Sequence, residues 1–199
     1  MAKSIDKDNV IRIVAETLKE TPSAEETVKS VGDRDKHFLR LATHMVEKAI
    51  RKDALIISED GHGVAIVFKT VPGEKDSLID LWEDLKLAWR VIGIKKVFKI
   101  LKKQKYVKAQ RPADSPYLYC WFWGIDTPYR GAELQVGKKM KDTFFEMAEE
   151  QQLPFYADTR TKRNVLVYVR LGFEMFHEWT MEDGSKMWFL RYIPPSLKN

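Results

Sequence analysis

Asn164 and Tyr168 stand four residues apart, a spacing that places both side chains on one face of a helix about one turn apart. An asparagine amide offers two donors and two acceptor sites, enough to orient a carbonyl or amide of a bound molecule. A tyrosine hydroxyl, with an ordinary pKa of about 10, can give a proton to a departing thiolate of similar basicity. The same pair also suits plain packing by Tyr168 and capping by Asn164, so it is no signature by itself. Upstream, Arg130-Gly131 falls where a strand gives way to a helix. Backbone N–H groups at a helix start lack intrahelical partners and carry partial positive charge, which suits phosphate oxygens. Glycine lets the backbone approach an anion, and Arg130 adds a planar cation. An ordinary strand-to-helix turn with a solvated arginine has the same sequence appearance.

The elements around these residues form a βαβα unit. An apolar, aromatic strand from Tyr117 to Asp126 runs into Pro128-Tyr129-Arg130-Gly131, and a loop from Thr127 to Gly137 opens a helix. A short strand, Pro154–Asp158, follows, and then the helix holding Asn164 and Tyr168, which ends at Gly172-Phe173. Such a unit can hold a phosphate-bearing acyl carrier. Cys120, the single cysteine, lies inside the apolar strand and reads as a buried, inert thiol. One cysteine excludes an intrachain disulfide and a Cys-cluster metal site, and no metal is expected.

The rest of the chain supplies the surrounding sheet. Val10, Ile11, Ile13, Val14 and Leu18 begin strand-like and then take helical spacing until Pro22 interrupts. Asp33 to Arg51 is an amphipathic helix, with Phe38, Leu41, Ala42, Met45, Val46 and Ala49 at three- and four-residue intervals. His37 and His44, seven apart, do not share a metal well and read as surface or packing residues. Residues 54–68 form a hairpin around Asp60-Gly61, with His62 exposed at its tip. Residues 77–92, including Trp82 and Trp89, and the basic stretch 94–106 are both helical, so 73–116 is a helical insertion between strands. Phe173–Met181 and Lys186–Ile193 make a final hairpin across Glu182-Asp183-Gly184-Ser185, and Pro194-Pro195 closes the fold. The order predicts a mixed α/β sheet with helices on both faces, in a single domain over 1–199.

Composition narrows the partners. In 199 residues, 44% hydrophobic content with six Trp, ten Phe and seven Tyr sustains a packed core and argues against disorder. The net charge of +5 concentrates in Lys95, Lys96, Lys99, Lys102, Lys103, Lys105, Lys108 and Arg111, with no acid among them. That block suits a solvated helix face or long-range attraction of an anionic cofactor. It also suits nucleic acid, anionic lipid or an acidic partner, although no helix-turn-helix, zinc-finger or RNA-binding signature accompanies it. The start, MAKSIDKDNV, has no apolar leader core, and no run nears the roughly 18 apolar residues of a membrane span. A cytoplasmic, reducing compartment is expected, with no nucleic-acid or membrane partner.

Over roughly 117–176 the chain resembles the GCN5-related N-acetyltransferase (GNAT) superfamily. Tyr117–Ile125 matches that family's fourth strand, and Asp126-Thr127-Pro128-Tyr129-Arg130-Gly131 its strand-end V-x-P-x-[YF]-[QR]-G. Leu153–Thr159 is similar to its fifth strand. Asn164 to Phe173 fits N-x-x-x-Y-x-x-x-G-F, the more specific of the two motifs. Two departures stand out. The family's pyrophosphate loop reads [QR]-x-x-G-x-[GA], and counting from Arg130 puts Glu133 and Gln135 where small residues belong. Gly137 takes the last position if two residues are inserted after Gly131. The insertion 73–116 replaces a short turn.

The resemblance implies a mostly antiparallel GNAT-like sheet flanked by helices, with a helical insertion before the fourth strand. It implies acetyl transfer from acetyl-coenzyme A, a cosubstrate, to a primary amine by direct attack. The pantetheine arm would lie along the splayed end of the 117–126 strand, on main-chain groups of Gly124, Ile125 and Asp126. The pyrophosphate would meet Arg130, Gly131, Ala132 and Gly137, Asn164 would place the cofactor, and Tyr168 would protonate the thiolate. Asp126 and Glu178 are the candidates for general base, and a water chain is the alternative. The acceptor is a small-molecule or peptide amine. Two rivals follow: a catalytically degenerate module that binds acyl-coenzyme A or a partner, motivated by Glu133 and Gln135, and a binder of nucleic acid or membrane surface through 95–111.

Overall fold

The computed structural model describes residues 6–28, 30, 32–74, 84, 91 and 94–198; within these the side chains of 94–99 and 131–134 are not described. Trp82, Trp89 and most of the apolar stretch 77–92 therefore lie outside the described residues. The chain begins with α1 (Lys7–Lys19), α2 (Pro22–Thr27) and α3 (Arg34–Arg51). The strand-like opening expected at Val10 is helix instead. Asp6 caps α1 by accepting from the Asn9 amide, and Val10, Ile11, Ile13, Val14 and Leu18 are buried together in one core. Burial of that wide apolar arc outweighs the weak strand preference of β-branched residues. Asp33 caps α3 in the same way, and Pro22 opens α2 at the position where proline costs no hydrogen bond.

The hairpin pairs β1 (Leu55–Ile57) with β2 (Gly63–Thr70), and Gly61 takes φ +77° in its turn. After α4 (Ile94–Ala109) come β3 (Tyr117–Ile125), a 3-10 turn (Thr127–Ala132) and α5 (Glu133–Gln151). Then β4 (Phe155–Thr159), α6 (Lys162–Arg170), β5 (Glu174–Thr180) and β6 (Lys186–Tyr192) complete the sheet. A short 3-10 turn, Pro195–Leu197, extends past the expected close at Pro194-Pro195.

Among the described residues the sheet has six strands in the order β1-β2-β3-β4-β6-β5, antiparallel except for β3 against β4. One face is covered by α1 and α3, whose side chains pack on Val64, Ile66 and Phe122, and by α4, whose Val107 packs on Met187 and Phe189. The other face is covered by α5 and α6, with Phe144, Phe155, Val165 and Leu190 at its centre. We call these the α1 face and the α5 face.

Candidate active site

The parallel pair β3–β4 is joined over only three positions: Leu118 to Phe155, Tyr119 to Tyr156 and Cys120 to Ala157. Beyond Cys120 strand β3 continues to Ile125 with β2 alone beside it, while β4 continues to Thr159 beside β6. The two strands part at the centre of the sheet. A bulge accompanies the parting. Ile66 faces Phe122 and Val67 faces Cys120, so Trp121 is the extra residue in β3. The bulge explains why Trp121 and Phe122, adjacent in sequence, both pack toward the α1 face, while Trp123 turns to the α5 face.

Main-chain parity past the bulge revises which groups face the opening. The Asp126 amide donates to the His62 carbonyl at 2.8 Å, so in the antiparallel register Gly124 also turns its polar groups toward β2. Trp123 and Ile125 are the residues that turn theirs toward the parted edge. Of the three positions expected to offer main-chain groups there, only Ile125 points the right way, and Arg130 Nε donates to its carbonyl at 3.1 Å. The Trp123 indole lies edge-on to Phe144 (5.0 Å) and Tyr168 (5.3 Å), and its buried Nε1–H has no acceptor among the described residues. A buried, unsatisfied donor on a residue of the parted strand suits an acceptor from an incoming molecule. The sequence does not single out this tryptophan; its strand parity after the bulge is the missing signal.

The turn after β3 differs from expectation. In place of an open loop from Thr127 to Gly137, a compact 3-10 turn holds Gly131 and Ala132, and α5 begins at Glu133. The turn bonds its own backbone, as in the Tyr129 amide to the Asp126 carbonyl at 2.9 Å. Gly137 sits inside α5, where its N–H belongs to the helix, and an added Cβ would make ordinary contact with Ile125 at 3.5 Å. Its smallness is thus not needed for an anion cradle. Gln135 is exposed. Arg130 Nη1 pairs with Glu20 of the segment after α1, besides the bond to Ile125. The positive end of the α5 dipole nevertheless lies at this turn.

On α6, Asn164 is exposed and its amide reaches Thr159 Oγ1 at the end of β4, at 3.4 Å. Tyr168, one turn on, is partly buried between Trp123 and Phe173, with ring centroids at 5.3 and 5.1 Å. Burial raises its pKa well above the ordinary tyrosine value, with the neighbouring Cys120 and Asp158 adding to the effect. Burial thus keeps the hydroxyl neutral, the form that can donate, while making it a weaker acid than an exposed tyrosine. The structure brings Tyr168, Asn164 and Ile125 to the parted strands.

Both candidates for general base are occupied. Asp126, 7% exposed, is clamped by Arg12 through Nη2 at 2.8 Å and Nη1 at 3.2 Å, which holds its carboxyl below the usual range. Glu178, on the outer strand β5, accepts from Lys186 at 2.5 Å and from Trp188 Nε1 at 2.6 Å, and those bonds lower its pKa also. A carboxylate so stabilised is a poor proton acceptor. His62 is not a free tip residue: its ring stacks on Tyr129 at 3.3 Å. Cys120 is buried and its thiol pKa is pushed far up by burial, in agreement with an inert core residue. Among the described residues no cluster suited to a metal ion is found, and no helix is long and apolar enough to cross a membrane.

No protein-family model matches the sequence, and no curated protein sequence matches it. Solved structures do match along nearly the whole chain. Arylalkylamine N-acetyltransferase 2 from Aedes aegypti superposes with a TM-score of 0.64 at 21% identity, covering 94% of each chain. A histone acetyltransferase HPA2 and related acetyltransferase from Corynebacterium glutamicum gives 0.62 at 18% identity, over 97% of this chain and 93% of the other. A Drosophila melanogaster polyamine N-acetyltransferase that forms N-acetylagmatine gives 0.58 at 10%, over 96% and 98%. The chain has the GNAT fold: a mixed, mostly antiparallel sheet flanked by helices.

Proposed function

We propose that this chain is an N-acetyltransferase that moves an acetyl group from acetyl-coenzyme A to the primary amine of a small acceptor. The observation that carries this reading is the parting of β3 from β4 beyond Cys120 and Ala157, with the Trp123 indole N–H unsatisfied and the Tyr168 ring edge-on to that indole. The residues present fit an extended acyl-pantetheine arm: the Ile125 backbone turns toward the parted edge, the Trp123 indole carries a buried unpaired N–H, and the Asn164 amide reaches the end of β4. Bound there, acetyl-coenzyme A supplies a thioester carbonyl for attack. Trp123 and Ile125 position it, the α5 dipole favours its diphosphate, and Tyr168 gives its proton to the sulfur as the amine bonds to carbon. The acceptor reaches the cleft from the α1 face, beside Tyr119 and Trp121. Neighbours of the same fold are named for arylalkylamine and polyamine acetylation, which supports a small amine acceptor.

The degenerate module is favoured by one specific feature, the self-bonded turn at 127–132 with Arg130 held by Glu20. Phosphate binding there requires that turn to open and Arg130 to exchange partners. Incubation with acetyl-coenzyme A and a panel of arylalkyl and polyamine acceptors, read by mass spectrometry, separates the two. The transferase yields N-acetyl product and free thiol in equal amounts; coenzyme A binding without product supports the degenerate module.

A further inference from the structure

Asp158 is the first residue of β4 beyond the paired stretch. It pairs across to Phe189 on β6, which places its side chain on the α1 face, opposite Tyr168. The two therefore approach the mouth of the parted strands from opposite faces, close enough that the charge of Asp158 raises the pKa of Tyr168. Tyr119, on the facing strand, donates to Asp158 Oδ1 at 2.9 Å, and among the described residues no other hydrogen bond reaches this carboxyl. One oxygen is thus fixed by a neutral hydroxyl and the other is uncommitted. No bidentate cation clamps it, in contrast to Asp126.

We propose that Asp158, held in place by Tyr119, takes the proton from the acceptor's ammonium. The inference rests on the acetyltransferase reading. The ammonium gives a proton to Asp158, and the freed lone pair forms the C–N bond at the thioester carbonyl. The C–S bond breaks, and the thiolate takes the Tyr168 proton. The nitrogen sheds its second proton to the Tyr168 phenolate, and Asp158 releases its own to solvent. The sum is one amide, one thiol and one proton.

The charged surroundings set the working range. Burial raises the Asp158 pKa, while the Tyr119 bond, Arg111 from the loop before β3 and Lys103 from α4 act to lower it. Arg111 lies 3.7 Å over the Tyr119 ring. Lys103 itself feels Arg160, Glu26 and Asp183, and Cys120 and Tyr168 face Asp158 from β3 and α6. The net direction is upward, which makes this carboxylate a better proton acceptor than an exposed aspartate.

The test compares wild type, Asp158→Asn and Tyr119→Phe in acetylation assays across pH, with coenzyme A affinity measured by calorimetry. Asp158→Asn should lower kcat/KM at neutral pH about 100- to 1,000-fold, leave coenzyme A affinity unchanged, and regain rate as pH nears the amine's own pKa. Tyr119→Phe removes a bond to the charged form, so the acidic limb of the profile moves to higher pH. Carbon-13 titration of the carboxyl in the free protein should find Asp158 above the ordinary aspartate value and higher still in Tyr119→Phe. Active wild type with Asp158→Asn unimpaired overturns this proposal alone; wild type that acetylates no amine overturns the transferase reading as well. If Asp158→Asn does not fold, an acidic limb unmoved in Tyr119→Phe, or a carboxyl titrating at or below the ordinary value, overturns it.

Discussion

Tyr168 donates a proton only in the step that releases the thiol, so its loss should appear in turnover and not in binding. Tyr168→Phe is expected to lower kcat about 10- to 100-fold with coenzyme A affinity unchanged by calorimetry. Equal losses in both would mean that the hydroxyl holds the ligand instead. The Arg12–Asp126 pair fastens α1 to the end of β3. Asp126 has its pKa lowered in the folded state, so the pair stabilises above the unfolded carboxylate range and is lost as pH falls through the lower folded value. Arg12→Ala should therefore lower the melting temperature by about 2–4 °C at pH 7, for a contribution of about 1 kcal/mol. The difference from wild type should close as pH falls through the lowered folded value of Asp126. At this scale Asn164 and Tyr168 were legible, because one helical turn fixes their relation. The bases were not. The partners of Asp126 and Glu178 come from α1 and across the final hairpin, and no local spacing reveals that a carboxylate is already paired. Asp158 was visible only as a lone acid ending an apolar strand.

The elements hold the site through a few close approaches. Gly63 opens β2 beneath α5, where an added Cβ would lie 2.3 Å from Met140 Sδ and 3.0 Å from Val136 Cγ1. Gly63→Ala forces Met140 or its helix to shift and should destabilise the protein by about 1–3 kcal/mol, as seen in denaturant midpoints. An unchanged midpoint would mean that Met140 simply swings aside. The Asp60-Gly61 turn, α3 and the closing hairpin were legible because turn chemistry and helical period are local signals. The bulge at Trp121 was hidden: a strand apolar on both faces reads the same with or without an extra residue. The helical start of α1 was hidden for a related reason, since Val10, Ile11, Ile13 and Val14 satisfy either pattern until a partner is known.

Across the whole molecule, two layers of helices sandwich a sheet that is continuous at both ends and divided in the middle. Polar groups accumulate at that division: a tyrosine and an asparagine from the α5 face, an aspartate and a tyrosine on the α1 face. The basic α4 spends part of its charge internally. Lys102 pairs with Glu182 at 2.9 Å and Lys103 with Glu26 at 3.8 Å, while Tyr106 stacks on Trp179. These contacts hold α4 against the body of the molecule. Acetyl transfer requires occupation of the cleft between β3 and β4, and an amide NMR titration with coenzyme A tests that occupation most directly. The predicted result is saturable shifts concentrated at the Ile125 amide and the Trp123 indole N–H, with further shifts in the turn at 127–132. Unmoved Ile125 and Trp123 signals at millimolar coenzyme A would contradict it.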